Sequence, residues 1–494
     1  MKKPTYTPIL IIIFLFTVLS ANCQSIDMKL SLNDVIIIAK KQSSDAIMAK
    51  HRFRNNYWEF QTYKASRKPS LALDGTIPNF NRSISQITQN DGTSIFKEIY
   101  TSSYSAGLSL NQNVGLTGGQ IFMRSDLQRL DLLGDSIITT YASSPISIGF
   151  QQPIFGFNQF KWNKKIQPIK YSEAQKRFLE DVEQLSIKAT ELFFDMLIAQ
   201  INFSMANINQ ANNDTMYKIA KGRYNYGKIA EDELLQMELQ LLRSNTQVKQ
   251  ADLDLENATF LLKSFLAIKE KGSLELIPPT ELFDYIVDSQ KAIEEAKKNS
   301  SSTQNYERRL LEAKSTVEKA KRENGFNANL YTTYGLTQTA SEISNAYNNP
   351  IDRQQVIFGF QVPILDWGQR KGKVKMAESN KELVFANVAQ EKLDFGQRIY
   401  IQVMQFNMQK QQLEIAAKAD TVGQKRYYVT KQRYLIGKIG ITDLNIALNE
   451  KDAATRNYYS EMLNYWRSYY QLRKLTLYDF KYNMPLIFNF DDVK

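Results

Sequence analysis

The sequence reads RYNYGKI at residues 223–229 and RYLIGKI at residues 433–439, two copies of one motif separated by 210 residues. A second motif, GFQQPI at residues 149–154, returns as GFQVPI at residues 359–364 with the same separation. Two unrelated motifs that share one offset indicate a tandem duplication, in which the segment between the motifs keeps its length. The chain is therefore built from two copies of one unit.

Between the paired motifs the apolar residues follow a helical period. One set is spaced alternately three and four residues apart, which is typical of a coiled-coil seam: Val182, Leu185, Ala189, Leu192, Met196, Ala199 and Phe203. A second set repeats at intervals of seven on another face: Ile187, Phe194, Ile201 and Ile208. A helix with two apolar stripes has neighbours on two sides, so we predict a long helix in a helical wall from about residue 165 to residue 222.

Gly227 and Gly437 interrupt the helical period in the two repeats, and the seam resumes after Gly227. Glycine supplies the left-handed conformation that ends a helix, so each glycine predicts the tip of a helical hairpin. Thr442 can cap the helix after the second tip, with Asp443 in its first turn. Glu231, Asp232 and Glu233 offer the same helix-start chemistry after the first tip.

The remaining segments alternate apolar and polar residues with period two. Such segments of about ten residues suit a transmembrane β-barrel, although soluble sandwiches alternate as well. Six strands are predicted near residues 70–80, 100–113, 119–131, 144–155, 326–338 and 353–365. Helices near residues 32–66 and 303–322 precede the two sets of strands, and residues 269–284 are expected to form a loop or short-strand linker.

The first residues have the layout of a secretory signal: Lys2 and Lys3, an apolar run, then small residues before Cys23. The apolar run is too short to cross a bilayer as a helix. Cleavage after Cys23 would make residues 1–23 a signal peptide. The alternative is a lipoprotein in which Cys23, the only cysteine, is acylated as the first mature residue.

Composition argues against several classes of protein. The net charge of +11 is spread over long helical stretches as solvated faces, without the aromatic interleaving of a nucleic-acid surface. His51 is the only histidine, so a site with two histidine ligands or a multi-histidine relay cannot form within one chain. We found no phosphate-binding loop either, and therefore expect neither an enzyme nor a metal or cofactor. No later apolar run approaches about 18 residues, which leaves a periplasmic, secreted or outer-membrane β-barrel protein.

Together, these features resemble the TolC-like outer-membrane efflux protein family, the outer membrane factors of tripartite pumps. The match is carried in order by SLNDV at residues 31–35, KPSL at 68–71, PILDWGQR at 363–370, RYLIG at 433–437 and TDL at 442–444. The resemblance implies a mixed α and β fold with a tandem internal duplication. A transmembrane β-barrel would be shared by a homotrimer and continued by a long α-helical coiled-coil barrel. One copy has too few strands to close a water-filled barrel, and an open sheet edge cannot sit in lipid.

The resemblance also implies a division of the chain. The expected segments are a signal peptide at 1–23, repeat 1 at 24–267, a linker or equatorial segment at 268–300, repeat 2 at 301–475 and a C-terminal tail at 476–494. The first repeat has four predicted strands where the family has two. The extra hairpin, marked by the turn at residues 115–119, would either widen the barrel or project as an extracellular loop.

By resemblance, the hairpin tips form the periplasmic gate and contact the adaptor protein. The matching residues are Arg223, Tyr224, Gly227, Glu233, Arg433, Tyr434, Gly437 and Asp443. The family's basic gate residue, two positions after the tip glycine, is Ile439 here, and a second acidic position is Ile446. For Glu233 and Asp443, compensation of the helix dipole is an equally good interpretation. Candidates for the barrel lumen are Arg124, Asp126 and Gln128.

The function implied is that of an outer-membrane channel subunit in a tripartite efflux or secretion system, with its helical part in the periplasm of a Gram-negative cell. Its partners would be two further copies of the chain, a periplasmic adaptor (membrane fusion) protein, an inner-membrane pump of the RND, ABC or a similar class, and outer-membrane lipid. The alternative is a secreted or periplasmic coiled-coil scaffold or adhesin without a pore.

Overall fold

The computed structural model describes residues 28–134, 136–269, 272–280 and 285–492, so the predicted signal peptide and Cys23 lie outside the described residues. Two compact units are present, and each takes segments from both repeats. The helical unit comprises the residues up to His51, Phe178–Asn299 and Arg398–Phe488. The sheet unit comprises Arg52–Arg177, Ser300–Gln397 and the residues from Asn489 onward.

The helices and strands alternate along the chain in two rounds. The first round is β1 (Met28–Ser31), α1 (Leu32–Gln42), α2 (Ser44–Ala65), β2 (Ser70–Thr88), β3 (Ser94–Val114), β4 (Gly119–Leu133), β5 (Ile138–Ile154), α3 (Gln159–Asn225) and α4 (Glu231–Phe265). The second is β6 (Leu274–Ile277), α5 (Ser289–Asn299), α6 (Ser301–Glu323), β7 (Asn327–Ala340), β8 (Ile351–Gln361), α7 (Gln369–Leu435) and α8 (Ile441–Thr476). Two short strands follow, β9 (Tyr478–Asp479) and β10 (Met484–Pro485).

One antiparallel sheet contains six strands in the order β2-β3-β4-β5-β7-β8. Each of these six strands overlaps one of the six strand segments predicted from the sequence. The extra hairpin of the first repeat, β3 and β4, pairs between β2 and β5, so it widens the sheet and does not project as a separate loop. The strands connect to the helices at one end of the sheet, the end at which β2 begins and β5 ends. The turn between β3 and β4 lies at that same end, where the Asn158 side chain donates to the carbonyl of Leu116.

The two faces of this sheet differ in polarity. Leu71, Leu110, Met123, Ile148 and Tyr334 stand in one row across five strands, paired neighbour to neighbour. The adjacent row on the opposite face contains Ala72, Ser109, Arg124, Ser147, Gly335 and Arg353. Because successive side chains of a strand point to opposite faces, the alternation read from the sequence becomes one apolar and one polar face.

Proline residues within the strands coincide with irregularities in pairing. The β2–β3 register shifts between Thr76 and Asn79, which brackets Pro78. The β5–β7 register shifts between Ser143 and Ser147, which brackets Pro145. Proline cannot donate a ladder hydrogen bond and is tolerated in strands at bulges.

The long helices of the two repeats correspond residue for residue at their ends. Helix α3 begins at Gln159 and ends at Asn225, and α7 begins and ends 210 positions later. All positions predicted for the seam from Val182 to Phe203 are buried or half-buried, as are those from Leu234 to Leu262 in α4. The helical spacing therefore identified the packed face correctly. Among the described helices, none is long and apolar enough to cross a membrane.

The structure corrects two local predictions. The opening helix is broken at Ser43, whose side chain accepts a hydrogen bond from the Ala46 amide and starts a second helix. The short strand expected within residues 269–284 is β6, which pairs in parallel with β1, and helix α5 follows it. Thr442 is not the cap of α8, because the helix begins at Ile441 and Gly440 occupies the capping position without a side-chain hydrogen bond.

Candidate tip and pore-lining sites

Both hairpin tips end their first helix with the same pattern of backbone hydrogen bonds. At the first tip the Gly227 amide donates to the Tyr224 carbonyl at 2.8 Å, and the Lys228 amide donates to the Arg223 carbonyl at 2.9 Å. At the second tip the equivalent distances are both 2.9 Å. Gly227 and Gly437 have φ values of 67° and 73°, a left-handed conformation that a side chain would strain. Gly227 and Gly437 thus lie in the turns between α3 and α4 and between α7 and α8.

Arg223 ties the first tip to the second. Its Nη2 donates to the carbonyl oxygen of Leu435 at 2.7 Å, and its guanidinium lies 5.4 Å from the centre of the Tyr434 ring. Leu435 is the last residue of α7, where carbonyl groups lack partners within the helix. A cation at this position satisfies such a carbonyl and complements the negative end of the helix dipole.

Tyr434 is the centre of an apolar cluster between the two hairpins. Only 3% of its surface is exposed, and it packs among Met216, Ala220, Met237, Ile441 and Leu444. Burial raises the pKa of the Tyr434 hydroxyl, and the positive charge of Arg223 opposes this effect only in part. The phenol therefore stays neutral at physiological pH and packs as an aromatic side chain.

The corresponding residues on the other side of each tip have different surroundings. Tyr224, the first-repeat equivalent of Tyr434, is 39% exposed. Arg433, the equivalent of Arg223, has an exposed side chain that makes no hydrogen bond or ion pair within the described part of the chain. At the tips, the two repeats therefore share their backbone hydrogen bonds but differ in their side-chain contacts.

The two acidic candidates lie in the first turns of the helices that follow the tips. Glu233 is half-buried in α4, and its charge acts on Tyr434. Asp443 is exposed in α8 and has no hydrogen-bond or ion-pair partner among the described residues. Both positions complement the helix dipole, and both leave the carboxylate near the tip. Ile439, in place of the family's basic residue, packs against the apolar cluster.

The polar face of the sheet brings the three lumen candidates together. Arg124, Asp126 and Gln128 are exposed and project on the same side of β4. The Asp126 carboxylate covers Gly107 on the neighbouring strand so closely that a Cβ there would lie 2.2 Å from its oxygen. Arg124 lies 4.8 Å from the centre of the Phe122 ring.

A depression of about 500 Å³ opens on this polar face. Its lining includes charged side chains of both signs, Asp74, Asp126 and Arg353, together with small residues such as Gly107 and Ser144. The small residues of the central strands leave the polar face open to solvent. In the part of the chain that the structure describes, no group of three acidic, histidine or cysteine side chains is arranged to hold a metal ion.

Two features of the site escaped the sequence reasoning. The acceptor for Arg223 is a backbone carbonyl, and because every residue type has one, the sequence does not mark it. The cluster residues Met216 and Ala220 continue the spacing of three and four toward Arg223, so the helical period could have found them.

Comparison with known proteins shows what the chain resembles. Residues 292–476, which include all of the second repeat, match the model of the outer membrane efflux protein family. The resemblance inferred from the sequence motifs is thus confirmed by the second repeat. No curated protein matches the chain.

Solved structures share the fold over nearly the whole chain. The outer membrane channel CmeC of Campylobacter jejuni aligns with a TM-score of 0.65 and 15% identity, covering 94% of this chain and 88% of CmeC. The outer membrane channel MtrE of Neisseria gonorrhoeae, in its open state, gives 0.60 and 14%, covering 90% and 88%. The outer membrane protein VceC of Vibrio cholerae gives 0.59 and 12%, covering 90% and 95%.

Proposed function

We propose that this chain is one subunit of a trimeric outer-membrane channel that passes substrates from the periplasm to the exterior as part of a tripartite efflux or secretion system. The observation that carries the proposal is the two-faced sheet. Large apolar side chains on one face are widely exposed in the single chain, Leu73 by 74% and Val356 by 73%. A contiguous exposed apolar face of this kind marks contact with lipid or protein, and apolar-out, polar-in alternation is the pattern of outer-membrane barrels.

The edges of the sheet support assembly of several copies. Strands β2 and β8 stand at its two ends, so each has an edge without a strand partner in the sheet. Unpaired backbone groups cost several kcal/mol each in hydrocarbon, so an open sheet is not stable there. Pairing of β8 with β2 of the next copy removes every edge when the ring closes. Six strands per copy would then make a wider barrel than the family's four.

The proposal assigns the remaining parts by the family resemblance. The helical hairpins lie in the periplasm, and their tips meet an adaptor protein that connects the channel to an inner-membrane pump. The match of residues 292–476 to the outer membrane efflux protein family supports this arrangement. The channel catalyses no reaction and needs no cofactor; the pump supplies the energy.

Cell fractionation and conductance measurements test this proposal together. A channel is expected to sediment with outer membranes, to require detergent for extraction, and to produce stepwise conductance in planar bilayers. A periplasmic scaffold would be released by osmotic shock and would leave the bilayer silent, which would refute the proposal.

A further inference from the structure

The contact between the two tips of one chain is a template for a second contact. Arg223 donates to the Leu435 carbonyl and covers the Tyr434 ring. Because α3 and α7 begin and end 210 positions apart, each partner in this contact has an equivalent. The equivalent of Arg223 is Arg433, and the equivalents of Tyr434 and Leu435 are Tyr224 and Asn225.

The equivalent groups are all available. The Arg433 side chain is exposed and makes no hydrogen bond or ion pair with any described residue. Tyr224 is 39% exposed, whereas its buried counterpart Tyr434 is 3% exposed. The carbonyl of Asn225, the last of helix α3, accepts no backbone hydrogen bond in the described chain, and Asn225 itself is exposed. Donor, ring and acceptor are thus present but not joined within one chain.

A second contact between the hairpins, on the helix faces beside the tips, can be compared with its equivalent positions in the same way. Within the chain, Asn209 of α3 donates to Asp452 of α8 at 2.7 Å, a polar contact between the two hairpins. The equivalent positions are Ala419 on α7 and Leu242 on α4, both exposed, the leucine by 58%. Val422, one turn nearer the second tip than Ala419, is 54% exposed. The two positions that form this polar contact inside the chain are therefore apolar at their equivalents on the exposed helix faces.

We infer that the second tip binds the first tip of a neighbouring copy of this chain through Arg433, which donates to the partner's Asn225 carbonyl and covers the partner's Tyr224 ring, while Ala419 and Val422 pack on the partner's Leu242. A heterologous contact of this kind closes into a ring when the rotation between copies allows it. The inference rests on the proposed function, because it requires several copies around one axis. Beyond that function, the inference names the residues that join neighbouring copies at the tips.

Paired cysteine substitutions test the contact. Cys23, within the predicted signal peptide, is the only natural cysteine, so introduced thiols are easily assigned. The full chain carrying Arg433→Cys and Tyr224→Cys is purified in detergent and treated with a short bismaleimide. We expect covalent dimers and a closed covalent trimer on a denaturing gel. The matched control, Arg223→Cys with Tyr434→Cys, joins the internal contact and is expected to remain at monomer mass, with a linked peptide pair found by mass spectrometry.

Light scattering of the wild-type chain separates this inference from the proposed function. Particles of three chains together with intermolecular linkage at 433 and 224 support both. Particles of three chains in which these cysteines stay unlinked, or link within one chain, overturn the tip contact and leave the channel proposal intact. Particles of one chain overturn both.

Discussion

Arg223 and Leu435 lie at the ends of different hairpins, yet the guanidinium of the first donates to the carbonyl of the second at 2.7 Å. The bond joins the end of helix α3 to the end of helix α7. A hydrogen bond from a charged group contributes about 1.5–3 kcal/mol, so this contact holds the two tips together within one chain.

Arg223→Ala is expected to loosen both tips by about 1–3 kcal/mol because the Leu435 carbonyl and the Tyr434 ring lose their cation. Hydrogen exchange measured by mass spectrometry should become faster in peptides that cover the two tips. Lys221→Ala, which removes an exposed cation from the same helix turn, should leave the exchange rates unchanged. Equal rates in the two variants would contradict the role of Arg223.

Arg473 is the centre of a buried ionic network in the helical unit. Its Nη1 lies 2.6 Å from Asp479 Oδ2 and its Nε lies 3.1 Å from Glu183 Oε2. Arg473→Met should destabilise the chain by about 3–5 kcal/mol, because buried Asp479 loses its counter-charge and buried Glu183 keeps only the more distant Lys40. Thermal unfolding in detergent measures the loss. Lys474→Met removes a half-buried lysine that donates to the Gln184 side chain and should cost less than about 1 kcal/mol, and a similar loss in both variants would refute the assignment.

The sheet unit is expected to lose stability in acid because of the Glu173 carboxyl. Burial alone would raise the pKa of this carboxyl, but hydrogen bonds from Arg308 and Asn305 and the nearby positive charges outweigh it, so the pKa lies below its ordinary 4.5. A carboxyl whose pKa is lowered by folding stabilises the protein above the ordinary pKa, and this stabilisation is lost as the pH falls through the lowered value.

The measurement is the free energy of unfolding as a function of pH below 4.5, the ordinary pKa of the Glu173 carboxyl. Glu173→Gln should flatten the curve in this range, because the amide does not titrate. Glu307→Gln removes an exposed carboxylate from the same helix as Arg308 and should leave the slope as it is. A wild-type slope in the Glu173 variant would show that the ion pair does not govern acid stability.

Arg124 is expected to influence ion selectivity if the polar face lines the lumen. Arg124→Glu should shift the reversal potential under a salt gradient toward cation preference, because a negative charge then faces the permeating ions. Lys97→Glu is the matched charge reversal; it lies on the same face, but on the part of β3 that pairs only with β2, so a smaller shift is expected. A larger shift from the Lys97 variant than from the Arg124 variant would argue against a lumen at Arg124.

Much of the fold could be read from the sequence because duplication and periodicity leave direct signatures. The offset of 210 residues located both tips, and period two located all six strands, since side-chain alternation fixes which residues share a face. The break at Ser43 was missed because a serine inside a helical pattern carries no strong signal. The contacts of Arg223 with Leu435 and of Arg473 with Glu183 were missed because they join residues more than 200 positions apart, and the first ends on a backbone atom.

Electron microscopy of the detergent-purified chain shows the symmetry and the strand number of the assembly in one experiment. We predict one pore with threefold symmetry, whose wall contains eighteen strands, six from each of three copies, with the apolar face turned outward. A particle in which each sheet stays open, or in which the six strands of one copy close on themselves, would contradict it.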